Sequence, residues 1–289
     1  MKISELIASL PFKERRSPDR LFLLPTWPVL RSLGEVGRSA LLSIISLSLL
    51  AIPFISFAED DNPGAKLEPA EFLKIARRPP LEESWAKMNG EISHKRANTD
   101  TVKFPIYLGI RFTPERTLAQ VVANKNEFYL IGQAYSDKPE STSVIVDRPD
   151  KDKSVLADCG IRPEDLALSF MFWPLQKELK TEDIKGYACR VFQLQSPDKK
   201  ESATVYICIQ YFFPLKVIWN KEVTGKEQPE IIRTLEVKSF KKEENFWIVN
   251  TLDISGPGWR TKIDFSEVAA GYSKNGVPQD IFQKAPEKK

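Results

Sequence analysis

Apolar and polar residues alternate with a period of two along most of the chain after residue 84, which predicts β-strands. The alternation is clearest between Trp259 and Phe265, where apolar residues share one face and charged residues take the other. Turn-forming residues divide this region into eleven candidate strands, at 85–97, 104–112, 117–123, 127–135, 141–147, 186–195, 203–211, 214–221, 231–241, 245–255 and 259–268. We therefore expect a mainly β fold, a curved antiparallel meander or incomplete barrel, with two or three helices lidding its concave face.

Two segments have helical rather than strand character. Residues 69–77 begin with proline, carry a glutamate early and end on basic residues, which predicts a short helix. Residues 162–173 place a proline and two carboxylates in the first turn, and a dense run of apolar residues follows. This second pattern predicts an amphipathic helix of about three turns that Pro174 ends. We expect both helices to form the lid.

One long apolar run stands out near the beginning of the chain. Residues 40–57 are almost wholly apolar, basic residues precede them, and Ser56 and Ala58 supply small side chains at the −3 and −1 positions of a cleavage site. This is the layout of a secretory signal sequence. An uncleaved anchor is the alternative, but the run is marginal for a ~20-residue span and Pro53 would bend it. We therefore expect cleavage after Ala58 and a periplasmic mature protein.

These patterns divide the chain into four parts and also change its charge balance. Residues 1–58 form an N-terminal extension with the signal, 59–80 a linker and short helix, 81–270 the β domain, and 271–289 a C-terminal tail. The first part holds 7 of the 42 Lys and Arg residues and 4 of the 39 Asp and Glu residues, which leaves 35 of each sign. A nucleic-acid-binding protein normally shows a clustered basic excess, so we expect no nucleic-acid partner.

Residues suited to catalysis are scarce. His94 is the sole histidine and lies in a strand with charged neighbours, so an exposed structural role is expected; a hydrolase built on it would need a nucleophilic serine, and the sequence has no G-x-S-x-G motif. The three cysteines lack the C-x-x-C spacing of a zinc site. The neighbouring carboxylates Glu164 and Asp165 fit helix capping better than acid–base chemistry. We expect no enzyme activity, no catalytic residue, no cofactor and no metal.

Two cysteines are predicted to face each other across a hairpin. If the turn is centred between Asp198 and Lys199, Cys189 and Cys208 lie directly opposite, with Cβ atoms about 4.5–5.5 Å apart. Such a separation is close to disulfide geometry, and an oxidising compartment would favour the bond. Two buried free thiols are the alternative. Cys159 would be left unpaired in either case.

Aromatic residues are concentrated in a few places on the predicted sheet and lid. The largest cluster is Phe170, Met171, Phe172 and Trp173 at the end of the predicted lid helix. An ordinary core is one explanation. A sheet whose apolar face exceeds what its helices cover would instead leave a concavity for a lipid chain, and each buried CH₂ would contribute ~0.8 kcal/mol.

The order of several short motifs resembles the LolA-like, outer-membrane lipoprotein-sorting proteins of Gram-negative-type bacteria. The similarity covers roughly residues 81–268, and the matching pieces are residues 85–92, 162–173, 182–191, 213–217 and 259–265. The resemblance implies an incomplete antiparallel barrel, lidded by helices, whose hydrophobic cavity carries acyl chains across the periplasm. In that family a buried arginine fastens the lid in the unloaded state; no equivalent can be placed in this sequence.

We therefore expect the protein to be a non-enzymatic carrier or binder of lipid or lipoprotein acyl chains. The resemblance implies that it acts in outer-membrane lipoprotein sorting and contacts envelope membrane proteins. Phe170, Met171, Phe172 and Trp173 are the expected lid contacts, and Trp247 or Trp259 is expected to form the cavity wall. The alternative is a structural or interaction module of the cell envelope, with a filled core and no ligand.

Overall fold

The computed structural model describes residues 63–78, 82–136, 141–221, 229–244 and 246–283. The predicted signal sequence at 40–57 and its cleavage site lie outside the described residues. Within the described ranges, no helix is both long enough and apolar enough to cross a bilayer.

Twelve antiparallel strands form one curved sheet, in the order β5-β4-β3-β2-β1-β12-β11-β10-β9-β8-β7-β6. Their bounds are β1 Ser84–Arg96, β2 Val102–Phe112, β3 Arg116–Ala123, β4 Glu127–Ala134, β5 Thr142–Asp147, β6 Leu175–Ile184, β7 Tyr187–Gln195, β8 Ser202–Cys208, β9 Pro214–Lys221, β10 Glu230–Glu243, β11 Phe246–Gly256 and β12 Trp259–Tyr272. The predicted fold class, a mainly β incomplete barrel, is confirmed. The two edge strands, β5 and β6, are consecutive in sequence, so the segment between them passes from one edge of the sheet to the other.

Eleven strands were expected and the described residues form twelve, because β6 does not alternate in polarity. Charged residues of β6 occupy positions on both faces of the sheet, and all of its side chains are exposed or half-buried. A strand at the edge of a sheet packs on one neighbour only, so it needs no continuous apolar face. The pattern that predicted the other strands is therefore missing here.

The first predicted helix is present and the second is replaced by irregular structure. Helix α1 spans Pro69–Ala76, and a second short helix, α2, spans Val155–Asp158. Between 162 and 173 the chain forms two 3₁₀ turns, Pro163–Asp165 and Ser169–Phe172, separated by Leu168 with a left-handed φ of 55°. The expected three-turn amphipathic helix is thus wrong. Three consecutive bulky residues, 170–172, are all buried, and one face of a regular α-helix cannot point three successive side chains into a core.

The main core lies on the concave side of the sheet. Side chains of α1, of the segment between β5 and β6, and of most strands join it, and Phe72 and Leu73 of α1 are fully buried there. A smaller cluster with Cys189 and Cys208 is separate from the main core. Alternation along the strands places this smaller cluster on the convex side.

The C-terminal residues return to the sheet after β12. The hydroxyl of Tyr107 donates to the carbonyl of Ile281 at 2.8 Å, and the side chain of Gln120 both donates to and accepts from the backbone of Gln283. Gly109 permits this close approach, since a Cβ there would lie 2.0 Å from the Ile281 oxygen. The described end of the chain is therefore fastened to β2 and β3.

Candidate functional site

The segment at 148–174, here called the lid segment, links the two edge strands and fills the concave face with its own side chains. Phe170, Met171 and Phe172 are at most 8% exposed. The ring of Phe170 meets the ring of Trp219 edge to face at 5.3 Å, and the ring of Phe172 lies 6.2 Å from that of Tyr135. The concavity expected from the sequence is therefore occupied by the lid segment in this structure.

The beginning of the lid segment is fastened to β4 by a buried carboxylate. Glu127 is 5% exposed, and its side chain accepts hydrogen bonds from the backbone N–H of Val155 at 2.8 Å and from the hydroxyl of Tyr129 at 2.7 Å. Ser154 caps α2 by accepting from the backbone N–H of Ala157. These bonds satisfy donors that the start of a helix otherwise leaves open.

His94 holds the next part of the lid segment, and its predicted exposure is wrong. The side chain is 6% exposed because β1 pairs with β12, which brings its Nδ1 within 2.8 Å of the hydroxyl of Thr261. That hydroxyl donates to the carbonyl of Cys159 at 2.6 Å, so the Nδ1 of His94 carries the proton. Burial lowers the pKa of His94, and the charge of nearby Arg96 lowers it further.

Trp259 packs on the same part of the lid segment. A Cβ added to Gly160, whose φ is +71°, would lie 2.1 Å from the Trp259 ring, so only glycine fits beneath that indole. Arg96 adds a hydrogen bond to the carbonyl of Asp158 at 2.9 Å. Trp259 therefore contacts the lid segment, and its predicted role as a cavity wall stays a prediction.

A buried ion pair fastens the centre of the lid segment to β10. Asp165 and Arg233 are 3% and 5% exposed, and the carboxylate accepts two hydrogen bonds from the guanidinium, one of them 3.1 Å long. The guanidinium also lies 3.9 Å from the centroid of the Trp219 ring. Among the described residues, the Nε atom of Arg233, the Nε1 atom of Trp219 and the hydroxyl of Ser169 have no hydrogen-bond partner. This cluster is polar, buried and incompletely satisfied, which is unfavourable in a low-dielectric interior.

Helix α1 and the lid segment are joined by Arg77. Its Nε atom donates to the carbonyl of Met171 at 2.6 Å, and its NH2 group donates to the carbonyl of Trp173 at 2.9 Å. The guanidinium of Arg190 lies 4.7 Å from the ring of Phe72, and it donates to the carbonyl of Leu67 at 2.6 Å. Arg77 therefore joins α1 to the lid segment, while Arg190 holds α1 to β7.

A small cavity opens beside the lid segment. Its volume is about 160 Å³, below the roughly 300–1,000 Å³ of sites that enclose a drug-sized ligand. Its lining is Ser141, Thr142, Arg162, Glu164, Asp165, Ser169, Phe170, Phe172, Trp173, Pro174 and Pro197. An acyl chain does not fit there while the lid segment stays in place.

The structure brings most of the six predicted contact residues together. Phe170, Met171 and Phe172 lie in the core and half-buried Trp173 lines the cavity. Trp259 contacts the same segment, whereas half-buried Trp247 is not among the described residues that form or pack on the main core. The ion pair between Asp165 and Arg233 was not predicted. The sequence around Asp165 suggests only helix capping, and no sequence signal connects it to a residue 68 positions away.

Cys189 and Cys208 are cross-strand partners, as the hairpin spacing predicts. The backbone N–H of Ile209 donates to the carbonyl of Ala188, which makes the adjacent cysteine pair a non-hydrogen-bonded one, where side chains are closest. Both are buried free thiols in this structure. Burial raises the pKa of Cys189 to about 12 and also raises that of Cys208.

Comparison with known proteins gives similarity at the level of structure alone. No family model and no curated protein matches the sequence. A DUF1329 family protein from Desulfovibrio piger aligns with a TM-score of 0.54 at 14% identity, over 74% of this chain and 96% of its own. A putative outer membrane lipoprotein-sorting protein domain from Vibrio parahaemolyticus aligns with a TM-score of 0.55 at 15% identity, over 73% and 93%. A LolA superfamily protein from Nitrosomonas europaea gives 0.42 at 15% identity, over 75% and 98%.

Proposed function

We propose that the protein is a periplasmic, non-enzymatic binder of lipid or lipoprotein acyl chains, the role that the resemblance of its motifs implies. The fold that it shares with a DUF1329 family protein and with a putative outer membrane lipoprotein-sorting protein domain supports this proposal. The acyl chain would occupy the concave face after the lid segment moves aside. Outer-membrane lipoprotein sorting, with envelope membrane proteins as donor or acceptor, is the role that this proposal implies.

One observation carries the proposal. The concave apolar face is covered by an irregular segment that joins the two sheet edges, and its buried residues, Phe170 to Phe172, make side-chain contacts without belonging to the sheet. Polar groups fasten this segment at separate points, and three buried polar atoms, on Ser169, Trp219 and Arg233, have no hydrogen-bond partner within the described part of the chain. A covering attached in this way can leave the sheet without unfolding it, since the strand ladder stays intact.

The exchange of lid for ligand is energetically reasonable. Displacing the lid segment exposes about as much apolar surface as it buried, and an acyl chain returns ~0.8 kcal/mol for each CH₂ removed from water. The cavity of about 160 Å³ is too small on its own, so binding and lid movement must be coupled. The affinity then depends on how tightly the closed lid is held.

Binding of a fluorescent fatty acid to delipidated protein tests the proposal. We expect saturable binding at micromolar concentrations. Phe170→Asp places a charge in the buried, closed lid segment and should strengthen binding because the lid is displaced more easily, whereas Leu179→Asp, at an exposed position of β6, should leave binding unchanged. No binding at micromolar concentrations would end the proposal.

A second function is favoured by the filled concave face. With the lid segment packed on Trp219 and only a small cavity beside it, the chain also fits an envelope interaction module that holds no ligand. This module would keep the lid segment protected in the presence of any fatty acid. The same titration therefore separates the two functions.

A further inference from the structure

The edge strand β5 and its neighbour β4 carry a group of exposed apolar side chains. Four of the seven large apolar residues that are exposed in the described part of the chain lie together here. Val144, Ile145 and Val146 are consecutive and are 39%, 65% and 47% exposed, and Leu130 of β4 is 38% exposed. Single exposed apolar residues are ordinary on protein surfaces, whereas a contiguous group at a sheet edge indicates an interaction site.

The opposite edge of the sheet has a different composition. β6 exposes Lys177, Lys180, Glu182 and Asp183, and charged side chains at an edge discourage another strand from pairing there. β5 has a single charged residue, Asp147, at its end. Of the two edges, β5 therefore lacks the protection against strand pairing that β6 has.

The exposed residues are divided between the two faces of the sheet. Val144 pairs with Ile131 of the main core, so Val144 and Val146 lie on the concave side. Ile145 pairs with Leu130 on the convex side. A partner packed on one face would cover only part of this group, whereas an added strand would extend both faces at once.

The backbone of β5 also directs hydrogen-bonding groups away from the sheet. Just beyond the ends of β3 and β4, the N–H of Tyr135 donates to the carbonyl of Glu115. These directions alternate along a strand, so β4 bonds to β5 through its even-numbered residues, which lie opposite odd-numbered residues of β5. Val144 and Val146 consequently direct their N–H and C=O groups outwards. Because β5 is last in the strand order, no described strand pairs with them.

We propose that two copies of this chain pair antiparallel through β5 and form a symmetric dimer with one continuous sheet. With the two-fold axis at Ile145, Val144 of one copy lies opposite Val146 of the other, and the two Ile145 side chains face each other. Ser143 then lies opposite Asp147, so polar residues face polar residues. Each exposed apolar residue of β5 meets an apolar partner, and no like charges are opposed.

The neighbouring registers are less complementary. Outward-directed residues must lie opposite one another, so the axis can pass only through a residue and not between two. An axis at Val144 would place Ile145 opposite Ser143. An axis at Val146 would place Ile145 opposite the carboxylate of Asp147. The sequence of β5 therefore favours pairing with itself in one register.

A second copy fits this edge better than the nearby parts of the chain outside the described residues. Residues 137–140, before β5, read Asp-Lys-Pro-Glu, and residues 284–289 read Lys-Ala-Pro-Glu-Lys-Lys. Proline and charge make both segments poor partners for an apolar strand. β5 has only six residues, so the interface would be smaller than the roughly 1,200–2,000 Å² of stable complexes. We therefore expect a reversible dimer.

The dimer does not depend on the proposed acyl-chain function. β5 belongs to the strand ladder and ends at Asp147, before the lid segment begins. Movement of the lid segment therefore leaves the paired residues in place. The two proposals can fail separately.

Sedimentation velocity of the mature protein, from low to high micromolar concentration, tests the proposal. We expect the mean sedimentation coefficient to rise from the monomer to the dimer value. Ile145→Lys and Ile145→Glu each place two like charges face to face at the axis, so each should weaken dimerisation at least about tenfold. Leu179→Lys, at a 36% exposed position of β6, is the matched control and should leave dimerisation unchanged.

Mixing the two variants tests the register itself. An equimolar mixture of Ile145→Lys and Ile145→Glu should dimerise again, because opposite charges then face each other at the axis. Loss of folding in either variant would not produce this recovery. A wild-type protein that stays monomeric, a dimer that Ile145→Lys leaves intact, a mixture that stays monomeric, or growth into larger assemblies would each overturn the proposal.

Discussion

The ion pair between Asp165 and Arg233 allows the sharpest perturbation of the lid segment. Asp165→Asn keeps the shape of the side chain and removes its charge, which leaves the guanidinium of Arg233 buried without a counter-ion. Both partners are at most 5% exposed, so water cannot replace the lost carboxylate. Removing one member of a buried ion pair typically destabilises the folded state by roughly 3–5 kcal/mol.

Most of this loss should appear in the closed state of the lid segment, because Asp165 belongs to the lid and Arg233 to β10. About 1.4 kcal/mol corresponds to a tenfold change in an equilibrium constant. The equilibrium constant for lid opening should therefore rise by roughly two to three orders of magnitude. Hydrogen exchange measured by mass spectrometry should show faster exchange at residues 163–173, with little change in β1 and β12. Fatty-acid affinity should rise, because the ligand displaces a weaker lid.

Two further variants make this test decisive. Replacing both partners together, Asp165→Leu with Arg233→Met, should restore protection because no charge is left unpaired. Glu201→Gln breaks the more exposed pair with Arg162 and should change stability by at most about 1 kcal/mol. Unchanged hydrogen exchange of the lid segment in Asp165→Asn would show that the ion pair does not hold the lid closed. An unchanged fatty-acid affinity despite faster exchange would show that the ligand does not displace the lid.

Three other predictions concern single sites. Burial lowers the pKa of His94 below its ordinary 6.5, so the unfolded state binds this proton first as pH falls, and the free energy of unfolding should drop from about pH 6.5 downwards. His94→Gln should flatten that drop in urea titrations, and an equally steep drop in the variant would contradict this. Protein isolated from an oxidising compartment should have lost two hydrogens by mass, with Cys189 and Cys208 in one peptide pair and one alkylatable thiol, Cys159; three alkylatable thiols after unfolding would contradict it. Gly160→Ala should lower the thermal midpoint more than Gly186→Ala, since both have positive φ but only the first has a ring in its way; equal losses would show that packing there is loose.

Much of the fold could be predicted because its information is local. The alternation from Trp259 to Phe265 is that of β12, the turn centred between Asp198 and Lys199 sets the register that places Cys189 opposite Cys208, and a proline starts α1 as expected. In each case neighbouring residues determine the outcome. The turn-forming residues and the alternation of polarity were sufficient to predict these elements.

The errors concern contacts between residues distant in sequence. His94 is buried because the pairing of β1 with β12 supplies Thr261, and no local pattern contains that register. The lid segment has a helical composition, yet its contacts with Trp219 and Arg233 favour two 3₁₀ turns over one helix. Tertiary packing overrides local propensity in such a segment. The segment that covers the concave face could therefore be located by its aromatic residues, but its polar fastening could not be predicted.

If an acyl chain and the lid segment compete for one apolar face, only one of them covers it at a time. Hydrogen exchange at residues 163–173, measured with and without saturating fatty acid, detects this competition. We expect fatty acid to bind and exchange in this segment to become faster, while the strands that line the concave face become better protected. Binding that leaves the lid exchange unchanged, or no binding at all, would contradict it.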